Sequence, residues 1–552
     1  MARFLAAVAA ACLTAMPAAA QQPTAAWRGD VDLLAAALVA RHPNPFHRLE
    51  RSVWDSAVAA TAGRIATLDR DRAAVALMEL VALVRDGHTA INPIFDPAAG
   101  PTVYPLVLEA FADGLFVRAA APEYRALVGG RVDRFGRVDA AAAMAAVARV
   151  VPHENDGWVQ AWGPTWLTFP TVAAGMGLTE PTDRLTVVVT RDGRQTTATL
   201  KPVPRLTGGH NPFAYVDQTG WIDLRTAPAP LRQQQPERPY FADYDAGARR
   251  LYVAYRMVTD GPGERNAAFW NRVFALADSV PVDRFILDLR DNPGGNSFFN
   301  RTVVRGLVAR PALDRPDRLF VLIGNRTFSA AMNLVRDLEQ WTNATFVGEP
   351  TGNATFFYGD HERVTLPASG LTVAISTLPW RPYDPRDRRD FIAPRLYTPL
   401  TSDDYRAGRD PALAAIDRMR TEPPLGHVVG EALERGDSTA AKAAIRRAAA
   451  DPVRRFNSAE AELNALGYRF LNARDPARAI TVFRLNAEAF PRSANTWDSL
   501  GEALLAAGDR DGAITAYRRA LTIDPSYAPS RQALSRLGVG PEPPDPGRAR
   551  GP

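Results

Sequence analysis

Between residues 251 and 347, short apolar runs alternate with stretches of helical periodicity, and this alternation constrains the fold more than any other feature. The apolar runs lie at 251–255, 285–287 and 319–323, and residues 345–347 continue the pattern. Helical spacing fills the intervals, at 267–276 and 300–308 and from Ser329 to Trp341. Uninterrupted apolar runs are typical of strands buried on both faces. The alternation therefore predicts an α/β domain with a parallel sheet and covering helices.

Two of the predicted strands end in loops that could carry chemistry. The first loop closes with Gly294 and Gly295, and the second places Ser329 at the start of a helix. Adjacent glycines let the backbone approach a ligand and present bare N–H groups. A serine in the first turn of a helix lies where free amides and the helix dipole favour negative charge. Ser329 is therefore a candidate nucleophile, and the amides of Gly294, Gly295 and Ala330 are candidates for an oxyanion hole.

A simpler interpretation of the same residues stays open. Serine is a favoured N-cap, so Ser329 could do no more than start its helix. The glycines could form a tight turn, although a turn explains one glycine better than two.

The loops resemble those of the tail-specific (C-terminal processing) serine protease superfamily. Three segments carry the resemblance: Asp288 to Gly295, Thr327 to Ala331, and Val347 to Gly352. The likeness extends over about residues 28 to 415. It implies a ClpP/crotonase-like spiral protease domain at 206–418, with Ser329 as nucleophile.

The general base is expected to be a histidine. One branch of the superfamily uses a Ser–Lys dyad, but Asn353 stands where that lysine would be. The chain has only two lysines, Lys201 and Lys442, and both lie outside the region of Ser329. Histidine titrates near neutrality, so it can take and return the hydroxyl proton. The segment Asp86-Gly87-His88-Thr89 resembles the histidine motif of the tricorn-like branch, which implies that His88 is the base.

Two alternatives remain at this stage. His88 could merely interact with the end of the preceding helix, and His361 is the second candidate for the base. A third group should orient the base. The tricorn-like pattern has a glutamate where Arg388 stands here, which leaves four candidates: Asp387, Asp390, Asp360 and Glu349.

The rest of the chain divides into further predicted domains. Residues 28–102 form an N-terminal helical region, and 103–205 resemble a PDZ-like β module with a Trp-rich insertion. In the C-terminal part a 34-residue period links Leu466-Gly467 to Leu500-Gly501 and Pro491 to Pro525. This spacing predicts an all-α tetratricopeptide domain at 427–540. Residues 541–552 are expected to be a disordered tail.

The N-terminus predicts export. Residues 1–20 have the features of a cleaved signal peptide, so we expect a periplasmic or secreted protein. The only cysteine, Cys12, lies within it, and Ala9 argues against lipoprotein anchoring there. The mature chain would then lack disulfides and thiolate sites. No later apolar stretch is long enough to predict a transmembrane span.

Charge and motifs exclude several classes of function. The net charge of +5 comes mainly from arginines dispersed among acids, so no nucleic-acid partner is predicted. We recognise no metal-ligand cluster or phosphate loop, and no metal or cofactor is predicted. The prediction is an exported serine endopeptidase that hydrolyses polypeptides through a Ser–His mechanism, with a possible protein partner on its repeats. The alternative is an inactive, protease-like peptide-binding scaffold, which the missing lysine and glutamate would favour.

Overall fold

The structure is a computed structural model that describes residues 26–179, 184–205, 220–421, 423–456 and 459–540. The chain forms two compact units. One comprises residues up to Thr226 together with Gly352–Asp390, and the other comprises Ala227–Thr351 and the chain from Phe391 onward. The predicted signal peptide with Cys12 and the predicted tail at 541–552 lie outside the described residues. Within the described ranges, no helix is long and apolar enough to cross a membrane.

The first unit begins with three helices, in the region predicted to be helical. They are α1 (Trp27–Arg41), α2 (Arg51–Arg64) and α3 (Arg70–Ala82). Asp69 caps α3 by accepting a hydrogen bond from the Arg72 N–H at 2.9 Å. Most side chains of α3 are buried, so this helix fixes the start of the loop that carries His88.

An antiparallel sheet follows in the same unit. Its strands and their neighbours are β1 (Thr102–Val103), β2 (Leu106–Phe111), β3 (Gly114–Ala120), β4 (Arg131–Phe135), β5 (Val138–Asp139), β6 (Leu185–Arg191), β7 (Arg194–Leu200), β8 (Val203–Pro204) and β9 (Ile222–Asp223). Three helices lie between β5 and β6: α4 (Ala140–Val147), α5 (Asp156–Leu167) and α6 (Pro170–Gly175). The sheet order is β2-β3-β4-β6-β7, with β5 on β4 and β9 on β3, while β1 pairs with β8. Strands β6 and β7 form a hairpin. The PDZ-like identity of this module stays a prediction.

The second unit contains the predicted parallel sheet. Its first strands are β10 (Tyr240–Asp245), β11 (Arg250–Tyr255), β12 (Arg284–Asp288), β13 (Leu319–Ile323) and β14 (Thr345–Gly348). The helices between them are α7 (Asn266–Ser279), α8 (Asn300–Val308) and α9 (Ala330–Trp341). Every residue of β12 and β13 is buried, which explains the apolar runs 285–287 in β12 and 319–323 in β13.

The chain then passes through both units. The hairpin β15 (Phe357–Thr365) and β16 (Thr372–Trp380) belongs to the first unit, whereas β17 (Leu396–Tyr397) completes the sheet order β10-β11-β12-β13-β14-β17 of the second. All neighbours in that sheet are parallel except β10 and β11. Helices α10 (Ser402–Arg406) and α11 (Pro411–Thr421) follow, and α11 packs Ala412 and Ile416 against Ile286 and Phe320 of the sheet.

The C-terminal part is helical, as predicted. It contains α12 (Leu425–Glu434), α13 (Ser438–Ala450), α14 (Ala459–Asn472), α15 (Pro476–Ala489), α16 (Ala494–Ala506), α17 (Arg510–Ile523) and α18 (Ala528–Arg536). The repeated glycines have a packing cause. A Cβ on Gly467 would come within 2.4 Å of the Phe483 ring, and one on Gly501 within 2.7 Å of Tyr517. The 34-residue period therefore reflects close contact between the two helices of each pair.

Candidate active site

Ser329 occupies a strained backbone position in the second unit. It lies between β13 and α9 with φ +54° and ψ −123°, a combination that L-residues rarely adopt. Its side chain makes no capping hydrogen bond to α9. The simple N-cap interpretation therefore does not account for this serine.

The two glycines of the facing loop are each required for a different reason. Gly294 has φ +114°, and a Cβ there would lie 2.6 Å from the Ser329 Cβ and 2.9 Å from the Ala330 nitrogen. Gly295 has φ +134°, and a Cβ there would lie 2.2 Å from the Val258 carbonyl oxygen. Gly294 thus lets the backbone of the loop pack against Ser329, and Gly295 lets it pack against Val258.

Asn292 holds this loop in place and decides which amides are available. Its side chain donates to the Tyr255 carbonyl at 2.7 Å and accepts from the Gly294 N–H at 2.9 Å. The Gly294 amide is therefore already engaged. The N–H groups of Gly295 and Ala330 have no acceptor in the part of the chain that the structure describes, so they are better candidates than the Gly294 N–H for an oxyanion hole. The prediction from the sequence also included the Gly294 amide among the oxyanion-hole donors.

A buried ion network anchors the strand that leads to the loop. The Arg290 guanidinium binds the Asp288 carboxylate at 2.6 Å and the Asp410 carboxylate at 2.7 Å. Tyr252 donates its hydroxyl to Asp288 at 2.6 Å. Burial opposes a charged Arg290, but the two carboxylates dominate and raise its pKa well above the usual value. The Asp-Leu-Arg part of the motif is thus structural.

His88 lies in the first unit, in the loop that follows α3. Its ring stacks on Phe357 with centroids 5.6 Å apart, and its Nδ1 lies 4.0 Å from an oxygen of Asp86. Burial lowers the pKa of His88 to about 4, although the Asp86 charge acts in the opposite direction. The imidazole is therefore neutral at pH 7 and able to accept a proton.

Asp86 is the centre of hydrogen bonding around His88, although it was not among the acids predicted from the sequence. It accepts from His42 Nε2 at 3.1 Å and from the Thr89 hydroxyl at 2.6 Å. His42 Nδ1 accepts from the Asn44 N–H, so Nε2 carries the proton donated to Asp86. Burial would raise the pKa of Asp86, but the His42 hydrogen bond and the nearby imidazoles lower it to about 2.

Glu154 is a second buried carboxyl in this cluster. It accepts from the Gly87 N–H and from Asn353 Nδ2, each at 3.1 Å. Burial, followed by the Asp86 charge, raises the pKa of Glu154 to about 8. The side chain of Asn353, the residue that the resemblance places where a lysine was expected, therefore donates a hydrogen bond to this acid.

In the described ranges, one group of side chains has the spacing expected of metal ligands, and it lies in this cluster. Asp86, His88 and Glu154 offer ligand atoms within 4.8 Å of one another. Their donor types would suit a divalent cation. The carboxylate oxygens, however, already accept hydrogen bonds from backbone and side chains, which accounts for them without a cation.

The structure separates the four predicted acids. Three lie in the first unit and one, Glu349, follows β14 in the second. Of these three, Asp360 alone is among the charges that act on the pKa of His88. The others are paired: Asp387 with Arg389, and Asp390 with Arg48. The second candidate base, His361, is exposed on the antiparallel hairpin rather than on the parallel sheet.

Comparison with solved structures identifies the architecture. A structure of mature CPAF complexed with lactacystin matches with a TM-score of 0.51 and 13% identity, covering 72% of this chain and 97% of that one. A crystal structure of a CPAF mutant matches with a TM-score of 0.50 and 12% identity, covering 72% and 96%. The chain has the CPAF fold. The photosystem II D1 C-terminal processing protease matches at a TM-score of 0.35 and 14% identity, over 71% of this chain and 96% of its own.

The CPAF-like fold agrees with the predicted resemblance and with the mixed α/β architecture. A family model of the tetratricopeptide repeat matches residues 494–537, which confirms a repeat in the C-terminal helices. No curated protein sequence gives a significant match. Ser329 and His88 belong to different units, so their joint action forms part of the proposal below.

Proposed function

We propose that this protein is a serine peptidase whose nucleophile is Ser329. The observation that carries the proposal is the backbone of Ser329, with φ +54° beside Gly294. Such strain persists only where the surroundings impose it, and it clusters at functional sites. The CPAF fold supports this interpretation, because it is the fold that the tail-specific protease motifs imply.

In the proposed reaction, the Ser329 hydroxyl attacks the peptide carbonyl and transfers its proton to the neutral His88 imidazole. The carbonyl oxygen becomes an oxyanion, which the Gly295 and Ala330 amides stabilise. His88 then protonates the leaving amine, and water repeats the sequence on the acyl-enzyme. Because its pKa is lowered to about 4, His88 is neutral at pH 7, and the imidazolium formed during attack readily gives its proton to the leaving amine.

We assign the orienting role to Asp86 rather than to the four acids predicted from the sequence. Asp86 is fully buried, its pKa is about 2, and an oxygen lies 4.0 Å from His88 Nδ1. A fixed negative charge at this distance stabilises the imidazolium that forms during attack.

The substrates in this proposal are polypeptides, and the protein acts after export. The signal-like pattern at residues 1–20 supports export, and the tetratricopeptide repeat supports a protein partner.

The test compares two serines in hydrolysis of fluorescein-labelled casein. Ser329→Ala should lower the rate at least about a thousandfold, as loss of a nucleophile does in other serine hydrolases. Ser297→Ala is the matched control, because Ser297 lies near this site and accepts a hydrogen bond from Asn333 at 2.9 Å. Circular dichroism should show both variants folded. Full activity in Ser329→Ala would refute the proposal, and an inactive but peptide-binding wild type would establish the scaffold alternative.

A further inference from the structure

Two arginines of the first unit share one aromatic ring. The guanidinium carbons of Arg381 and Arg388 lie 5.6 Å and 5.2 Å from the centroid of the Phe356 ring. Both arginines are exposed, and Phe356 is half-buried. Stacking holds a guanidinium in place while its in-plane N–H groups can still reach an acceptor. Arg388 uses one of them, at Nη1, to donate to the Asp387 carbonyl oxygen at 3.1 Å, and its other N–H groups stay available.

The acids of this loop are already neutralised by other arginines. Asp384 pairs with Arg386 at 3.0 Å and Asp387 with Arg389 at 2.8 Å. Asp390 pairs with Arg48 at 2.8 Å. Neither Arg381 nor Arg388 forms an ion pair with a carboxylate of the described ranges, so their two charges remain available.

The ring of Phe356, on which Arg381 and Arg388 stack, is connected by aromatic contacts to the residues around His88. Phe356 meets Tyr358 edge-to-face at 5.2 Å, and Tyr358 packs on the ring of His42 at 4.6 Å. The next residue, Phe357, stacks on His88. The positive field also reaches this cluster: burial raises the pKa of Tyr358, and Arg381 and Arg388 act against that rise.

We propose that Arg381 and Arg388 form a subsite for a carboxylate of a bound peptide, so that the protein selects acidic polypeptide segments. Arginine binds carboxylates through two parallel N–H···O hydrogen bonds, which gives geometric selectivity as well as attraction. An amide of the same shape lacks the charge and should be discriminated against. This inference rests on the proposed function for its substrate class, but the binding itself requires no turnover.

The test measures binding and hydrolysis with paired fluorescent peptides that differ only by Glu or Gln at one position. On the full-length Ser329→Ala chain, the best Glu peptide should bind roughly five- to tenfold more tightly than its Gln twin. Arg381→Ala and Arg388→Ala should each remove most of this preference, while Arg388→Lys should keep part of it. Added salt should weaken the preference.

Arg386→Ala is the matched control, because Arg386 lies in the same loop but is paired with Asp384. It should leave the preference unchanged. Equal binding of the twins, or a preference that survives in both Arg381→Ala and Arg388→Ala, would overturn the subsite. So would an equal loss in Arg386→Ala.

Binding that follows the predicted pattern without wild-type hydrolysis would keep the subsite and reject the peptidase. If the Glu and Gln peptides bind equally and are hydrolysed at equal rates, the peptidase proposal is kept and the subsite is rejected.

Discussion

Ser329 has a backbone conformation that lowers stability, as the proposed role of nucleophile would explain. Its φ of +54° costs about 1–3 kcal/mol for a non-glycine residue. The sequence identified this serine from its motif but not the strain, because a serine gives no sign that its backbone has a positive φ. Glycine would be the expected choice if only the turn mattered.

Ser329→Gly should therefore stabilise the protein while abolishing activity. Relief of strain outweighs the extra entropy of glycine in the unfolded chain, for a net gain of about 1 kcal/mol. Denaturant unfolding followed by fluorescence measures the change. The control Ser297→Gly, at a residue without positive φ, should lose about 0.5–1 kcal/mol. A loss of stability in Ser329→Gly would show that the serine is not strained.

Glu154 predicts a dependence of stability on pH. The folded pKa of Glu154, about 8, lies above the usual glutamate value of 4.5, so the unfolded chain releases this proton at lower pH. The free energy of unfolding should fall as pH rises from 4.5 to 8, on the order of a few kcal/mol over the window. His88 contributes the opposite slope between pH 4 and 6.5, since its folded pKa is lowered.

Between pH 6.5 and 8, therefore, the effect of Glu154 on stability is not offset by that of His88. Glu154→Gln should flatten the stability profile there. Glu79→Gln, at a partly exposed acid beside Arg64, should leave the profile as in the wild type. Identical slopes in wild type and Glu154→Gln would contradict the buried, protonated carboxyl.

At the residue scale, local motifs were predictable and distant partners were not. Asp86 belongs to the histidine motif Asp86-Gly87-His88-Thr89, but the acids predicted to orient the base lie far from it in the sequence. Glu154 lies 66 positions from His88 in the sequence, and His42 lies 46 positions from it. Folding alone brings these two residues into the cluster. No spacing in the sequence marks them, because tertiary contacts bring them there.

At the scale of elements, the strands and helices of the parallel sheet followed the sequence closely. The runs at 300–308 and 319–323 coincide with α8 and β13. Full burial on both faces makes such strands easy to recognise. The loop between β12 and α8 was harder to interpret, since the hydrogen bonds of Asn292 decide which amides remain available.

Asn292→Asp tests the role of this loop. The carboxylate can still accept from the Gly294 N–H but can no longer donate to the Tyr255 carbonyl, which is left unpaired in the interior. We expect a loss of about 1–3 kcal/mol in the free energy of unfolding, together with a fall in peptidase activity. Asn296→Asp is the control, because Asn296 uses its side-chain oxygen to accept from the Phe298 N–H. Equal effects of the two substitutions would contradict a special role for Asn292.

At the scale of the whole molecule, the sequence predicted a protease-like α/β region followed by helical repeats, and the CPAF fold and the repeat match agree with it. The repeats were predictable because each glycine contact recurs after 34 residues. The division into two units was not, because residues 352–390 join the N-terminal unit across a long interval of sequence. The proposed mechanism draws its nucleophile from one unit and its base from the other.

The most direct test of the account is covalent labelling by a fluorophosphonate, with the modified residue mapped by mass spectrometry. The wild type should be labelled at Ser329, one group per chain, with a rate that rises with pH around the His88 pKa of about 4. His88→Asn should slow labelling at least about a hundredfold, because the hydroxyl then has no base. A wild type that is not modified at Ser329, or a His88→Asn variant that is labelled as fast as the wild type, would contradict the central claim.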